Sequence, residues 1–308
     1  MNLGNERILV TGGHGFIGTN LRAVLDRRGI QVAAPTHAEF DLTSQVDVRR
    51  MFLAFRPTVV IHLAGLVGGI EINRRRPADF HYQNLMMGAM VMHTASQMGV
   101  KKFVTVIGGC SYPADAVSPI SEDCLLRGYP QAESAPYSLA KAMSVIQAQA
   151  YRQQYGLNAI VLIPGNVYGP HDNFDLDTGH VISALIRRFI EADDVVTVWG
   201  TGKPVRDFVY VTDVCEALVI AAETYDDPAP INISSGVPTS IRDLADQIAR
   251  ATGFIGRIVW DTSKPDGQAV KVFDIRRQRE TLHHECATAL RDGLDQTVAW
   301  YRQNRVTP

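Results

Sequence analysis

Short runs of β-branched and aliphatic residues alternate with longer amphipathic stretches from residue 7 to about residue 165. RILVT (7–11), QVAA (31–34), TVVIHLA (58–64), KKFVTVIG (101–108) and NAIVLI (158–163) are apolar along nearly their whole length. Strands with no polar face are covered on both sides, as in a parallel sheet between two helical layers. The segments between them, FIGTNLRAVLDRRG, SQVDVRRMFLAF, 79–98 and YSLAKAMSVIQAQAYRQQYG, carry helical spacing. This alternation predicts an α/β fold, a Rossmann-type doubly wound parallel sheet over 1–165. Past Pro164 the pattern loosens into the loop-rich stretches NVYGPHDNFDLDTGHV and VWGTGKPVRDF. A strand–helix–strand returns at FVYVTDVCEALVIAAETYDDPAPINIS, so 205–236 is expected to rejoin the first domain. Segments 166–204 and 237–308 are then expected to form a smaller interleaved α/β substrate lobe.

Charge and cysteine usage narrow the function classes. A net charge of −2 gives no field that would gather nucleic acid or an anionic membrane. An anionic ligand must therefore be met by local cations. The most apolar stretch, 58–70, is too short and too glycine-rich to span a bilayer, and MNLGNERILVTGG lacks the layout of a signal peptide. A cytoplasmic protein is expected. Cys110, Cys124, Cys215 and Cys286 form no C-x-x-C pair, so neither a zinc site nor a disulfide framework is expected.

The chemistry begins at TGGHGFIG (11–18), which places Gly12, Gly15 and Gly18 between the first strand and the first helix. Glycines there let the backbone turn tightly and approach a pyrophosphate seated on the helix N-terminus. The end of the second strand usually distinguishes NAD from NADP, by an acid for the ribose hydroxyl or a base for its phosphate. Here it reads Pro35, Thr36 and His37, with Glu39 beyond and His14 inside the glycine turn, and the choice stays open. Asp41 and Leu42 are placed to meet the adenine edge, or to cap the next helix.

Tyr137 and Lys141 in PYSLAK are four residues apart, on one face of a helix. A phenol titrates near ~10, and an ammonium one turn away is expected to lower that value and ready it for proton transfer. A dinucleotide-binding regulator on this fold often lacks such a pair; both residues are present, which favours an enzyme.

The motifs TGGHGFIG, HLAG (62–65), YSLAK and RDFVYVTDV (206–214) resemble those of the extended short-chain dehydrogenase/reductases. Within that superfamily the chain is similar, nearly end to end, to the GDP-L-fucose synthase family of 4-keto-sugar 3,5-epimerase/4-reductases. VGGI (67–70), PADFHYQN (77–84), CSYP (110–113), NVYGPHDNF (166–174), HVISALIRRF (180–189), WGTG (199–202) and SKPDG (263–267) carry that similarity. The resemblance implies NADP(H) as cofactor, with NAD the alternative. It places the dinucleotide against Gly12, Gly15, Phe16, Ile17, Gly18, Asp41, Leu42, Leu63, Ala64, Gly65, Tyr137, Lys141, Pro164, Asn166, Val167 and His180. It implies a GDP-linked 4-keto-6-deoxy sugar, met by Asn166, Arg188, Trp199, Arg206 and Lys264. It also implies a homodimer built on a four-helix bundle, for which the helices near 79–98 and 136–154 are the candidates.

A ketone at carbon 4 acidifies the protons on carbons 3 and 5, so inversion takes a base on one face and an acid on the other. The resemblance gives those roles to Cys110 and His180, with Tyr137 on the oxygen. One departure matters. The family usually has a serine, a second donor to that oxygen, where this chain has Gly108. Losing such a donor costs about 10²–10³ in rate. Three readings stay open. Water, Ser111 or Thr105 supplies the donor; reduction is weak and the chain mainly epimerises a related nucleotide sugar; or the substrate's own hydroxyl fills the gap.

Overall fold

The computed structural model describes residues 1–264 and 266–305. Pro265 of SKPDG and residues 306–308, the end of the expected second lobe, lie outside the described residues. The first half follows the predicted alternation: β1 (Ile8–Thr11), α1 (Phe16–Arg27), β2 (Val32–Ala33), α2 (Gln45–Phe55), β3 (Val59–His62), α3 (Ile70–Arg75), α4 (Pro77–Gln97), β4 (Lys102–Val106), α5 (Ala135–Tyr155) and β5 (Ala159–Pro164). The short α3 falls in a stretch with no predicted helix. Every residue of β1, β3, β4 and β5 is buried, as strands covered on both faces require.

The second half adds β6 (Asn166–Tyr168), α6 (Val181–Glu191), β7 (Val195–Trp199), β8 (Val205–Tyr210), α7 (Val211–Thr224), β9 (Ile231–Ile233), β10 (Pro238–Ser240), α8 (Ile241–Thr252), β11 (Arg257–Asp261), β12 (Val270–Lys271), α9 (Arg276–Leu282) and α10 (Leu290–Asn304). The large sheet runs β2-β1-β3-β4-β5-β9, all parallel. The chain leaves β1 toward β2 and comes back to β3 on the other side. The crevice at the C-terminal ends of β1 and β3 is therefore the topological switch point, where such sheets bind ligands.

The lobe boundaries differ from the sequence reading at two places. The return to the large sheet starts at α7, because β8 pairs instead with β6, β10 and β12 in a second sheet. The last segment also does not stay in the small lobe: Phe273 and Leu282 are buried in the two cores that flank the large sheet. The small lobe has its own core, in which Ile186 and Phe189 of α6 pack with Leu244 and Ile248 of α8 and Leu294 and Val298 of α10. Burying each such side chain contributes about 1.5–3 kcal/mol, which holds the three helices of the lobe together. Among the described residues no helix is long and apolar enough to cross a membrane.

Candidate active site

The glycine turn is set by contact. Gly12 has φ +71, and a Cβ there would sit 2.6 Å from the Ala64 nitrogen, so the turn after β1 lies on the 63–65 backbone. A Cβ at Gly18 would collide with the Gly12 carbonyl oxygen. Gly15 caps α1 without a side-chain acceptor, which leaves the first amides of the helix for an anion. These features fit a dinucleotide pyrophosphate. Leu42 turns its side chain into the core, leaving only its backbone for an adenine. Asp41 accepts from the Thr43 amide and hydroxyl, both at 2.8 Å, which hold its carboxyl below the usual range; the cap of α2 is Ser44.

A cation that the sequence reading did not find sits at the adenosine end. Arg22, in the second turn of α1, folds back to donate to His14 Nδ1 at 3.3 Å and to the Gly13 carbonyl at 3.5 Å. Since Nδ1 accepts, the other ring nitrogen of His14 donates to Ala34 at the end of β2, at 2.8 Å. Glu39 is engaged by the Thr36 amide and hydroxyl, each at 2.7 Å. The guanidinium is thus the fixed positive group beside β2 where no arginine follows the strand.

Tyr137 and Lys141 lie in the first two turns of α5, whose second residue is Pro136. Lys141 is buried, and desolvation pushes its ammonium down to about 8. The expected lowering of the Tyr137 phenol by Lys141 is not found. Burial dominates and raises it, and Cys110 adds to the effect. A phenol held up in this way stays protonated at neutral pH, the form that donates to a ketone oxygen. Beneath the pair, His62 is buried with Nδ1 2.7 Å from the Thr11 hydroxyl, and burial, helped by Lys141, pushes its imidazole down to about 3.

Gly108 ends up where the missing serine would matter. A Cβ on it would lie 3.0 Å from Cys110 Sγ and 3.8 Å from Tyr137 Oη. Two of the substitutes left open by the sequence are spent elsewhere. Ser111 donates to the Ser138 carbonyl at 3.1 Å, and Thr105, fully buried, points to the His62 carbonyl at 3.5 Å.

His180 caps the N-terminus of α6, and its Nδ1 meets Asp172 Oδ1 at 3.4 Å. The other Asp172 oxygen accepts from Ser183, so the carboxylate is buried and held at both ends. The bond to Asp172 raises the His180 pKa, burial opposes it, and the charge of Asp172 adds to the rise. The loop 65–70 joins the two halves of the site. A Cβ on Gly65 would lie 3.7 Å from Lys141 Nζ, and the Gly69 amide donates to Thr178, two residues before His180. Asn84 braces that loop through both the amide and carbonyl of Leu66. Replacing Asp172 by asparagine removes the bond that raises the His180 pKa. The proton that the sequence reading assigns to His180 is lost as pH rises through its pKa, so the alkaline limb expected of such an acid should move to lower pH in Asp172→Asn. The pH profile of inversion of a keto-sugar substrate measures it.

The cations of the small lobe fall into two groups. Arg188 and Lys264 flank the Trp199 ring, 5.7 and 5.6 Å from its centre, and that ring is 60% exposed. Arg206 on β8 pairs in register with Lys271 on β12. Burial lowers the Lys271 pKa, Cys110 works against that, and Arg206 adds to it, so these three groups share one region. Asn166 spends its amide nitrogen on the Asp207 carbonyl at 2.7 Å and keeps its oxygen free of that contact. Lys271 and Asp172 were missed by sequence reading. Their nearest signal was the company of SKPDG and of the HDNF run, with nothing in either to say where the side chain would go. Among the described residues no His, Cys, Asp and Glu cluster could hold a metal.

Residues 8–234 match the model of the NAD dependent epimerase/dehydratase family. The chain is 40% identical over 305 residues to GDP-L-fucose synthase 1 of Arabidopsis thaliana, covering 97% of this chain and 94% of that protein. Among solved structures it is similar to a GDP-6-OMe-4-keto-L-xylo-heptose reductase from C. jejuni, with a TM-score of 0.93, 28% identity and 99% of each chain covered. It is also similar to an NADP-bound GDP-L-fucose synthetase from Naegleria fowleri, with a TM-score of 0.91, 29% identity, and 99% and 95% covered.

Proposed function

The chain belongs to the NAD dependent epimerase/dehydratase family, and we propose that it is an NADP(H)-dependent 3,5-epimerase/4-reductase of a GDP-linked 4-keto-6-deoxy sugar. The observation that carries this is the meeting at Gly108. One point lies 3.0 Å from the thiol of Cys110 and 3.8 Å from the phenol of Tyr137, so an inverting base and a proton donor serve one carbon framework.

Gly12, Gly15 and Gly18 would hold the pyrophosphate of NADPH, which would supply the hydride for carbon 4. Cys110 takes the proton from the carbon beside the ketone, and His180, whose pKa Asp172 raises, returns one to the opposite face. Tyr137 holds the ketone oxygen through inversion and then gives it the phenolic proton. Lys141 carries positive charge under that oxygen's side of the site. Arg188, Arg206, Lys264 and Lys271 answer the diphosphate, and Trp199 offers its face to the base. The remaining oxygen of Asn166 takes a sugar hydroxyl. Four unpaired cysteines suit a reducing compartment, the cytoplasm. The homodimer reading is supported by Tyr82 on α4 and Met143 and Ile146 on α5, which are 57%, 39% and 47% exposed on two mutually packed helices.

Incubation with GDP-4-keto-6-deoxymannose in heavy water tests the reading. Deuterium at carbons 3 and 5 with stoichiometric NADPH consumption is expected. Deuterium entry without NADPH consumption overturns the reductase part, and neither event overturns the whole.

Cofactor choice is tested apart from turnover. A charge-assisted bond to phosphate contributes about 1.5–3 kcal/mol, or about 10- to 100-fold in affinity. Arg22→Gln is expected to lose that much NADP⁺ affinity by calorimetry, while NAD⁺ affinity stays within about twofold.

A further inference from the structure

We propose that the Cys110 thiol has a second task in this chain: it donates the hydrogen bond to the carbon-4 oxygen for which Gly108 has no side chain. The inference rests on the 4-keto-sugar reading above and concerns how that reaction works without its second donor.

The space argues for it first. A serine at 108 would start from a carbon 3.8 Å from the Tyr137 oxygen, which puts its hydroxyl beside the oxygen that Tyr137 serves. The Cys110 sulfur lies 3.0 Å from that carbon position, tighter than most real contacts, so one of the two would have to give way. A side chain at 108 and the sulfur in its present place therefore compete for one volume, and here the sulfur holds it. Next, the alternatives among nearby hydroxyls are closed, since Ser111 and Thr105 both point to carbonyls of the scaffold. Finally, the next position offers no substitute: a Cβ on Gly109 would run into the buried Phe273 ring, so a side chain there has no room.

The chemistry is consistent in protons. When Cys110 removes a proton from carbon, the C–H bond breaks and an S–H bond forms. His180 gives its N–H proton to the opposite face, and the centre is inverted. The cysteine is then a thiol, a donor rather than an acceptor. As the ketone is reduced, the Tyr137 O–H proton passes to the oxygen. The thiol keeps its own proton and only hydrogen-bonds. The second donor is thus present in the form of the enzyme left by inversion, so that reduction follows epimerisation.

Single-turnover oxidation of the GDP-linked 4-hydroxy product by excess NADP⁺, followed by absorbance, reads hydride transfer with no inversion before it. Deuterium exchange into the 4-keto sugar, run without cofactor, reads proton transfer at carbon. Cys110→Ala is expected to slow the oxidation by about 10²-fold, the scale of one oxyanion donor, and to lose exchange. Cys110→Ser, which keeps a donor, is expected to oxidise within about tenfold of the parent. In Gly108→Ser/Cys110→Ala the alanine removes the crowding sulfur. This double variant is expected to regain most of the oxidation rate while exchange stays lost. Unchanged oxidation in Cys110→Ala, or a double variant no faster than it, overturns the proposal. If the parent protein fails to oxidise the product while exchanging normally, the reductase reading itself falls and this inference with it. Thermal melting of each variant separates these outcomes from misfolding.

Discussion

Tyr137→Phe is expected to slow reduction of the 4-keto sugar by roughly 10³-fold, within the range that a positioned general acid contributes. The phenol is buried and its pKa raised, so it is fully protonated at neutral pH and can give its proton to the ketone oxygen. Phenylalanine keeps the edge-on contact with Phe80, whose ring centre is 6.2 Å away, and so leaves the packing in place. Exchange at carbons 3 and 5 is expected to fall less, by about 10²-fold, because the enolate loses one of its hydrogen bonds but keeps both its base and its acid. The two rates are compared by following NADPH absorbance and deuterium uptake in one sample. Equal losses in both would mean that Tyr137 acts only on the enolate. No loss in either would remove it from the mechanism.

What could be read from the sequence was local. The glycine turn, the Tyr137/Lys141 spacing and the alternation of strands and helices each depend on contacts within a few turns of chain, and the structure has them where the pattern put them. The lobe boundary was not local. Residues 205–210 look like a strand anywhere, and only pairing with β6, β10 and β12 decides which sheet they enter. Lys271 reaches Arg206 by that same long-range pairing. Arg22 is hidden differently: its spacing from His14 is helical, but His14 lies in a turn, and the contact exists because the side chain runs back over Gly13. The pKa of Tyr137 was misjudged because spacing shows the neighbouring ammonium and not the depth of burial, and burial has the larger effect. Gly108 was legible as a departure from a pattern, but its meaning needed the positions of the sulfur and the phenol.

His180→Gln separates inversion from exchange more sharply than any other change at this site. Inversion needs a proton to leave on one face and another to arrive on the opposite face. Glutamine keeps a hydrogen bond toward Asp172 but has no proton to give. Inverted product is therefore expected to fall by about 10³-fold, the scale of a general acid. Cys110 is untouched in this variant. It can still take the carbon proton, trade it with solvent and return a deuteron to the same face. Deuterium should then enter the recovered keto sugar without change of configuration. Chromatographic separation of the epimers, with deuterium counted in each, measures both rates. The pH dependence gives the sign independently. In the parent the bond to Asp172 raises the His180 pKa, so inversion holds to higher pH than a free imidazole would allow and then declines. In His180→Gln the small residual inversion should show no such decline, since the group that titrated is gone. A residual rate that still fell along the parent's limb would assign that limb to another acid, and Lys141, with its pKa pushed down to about 8, is the group on which it would fall.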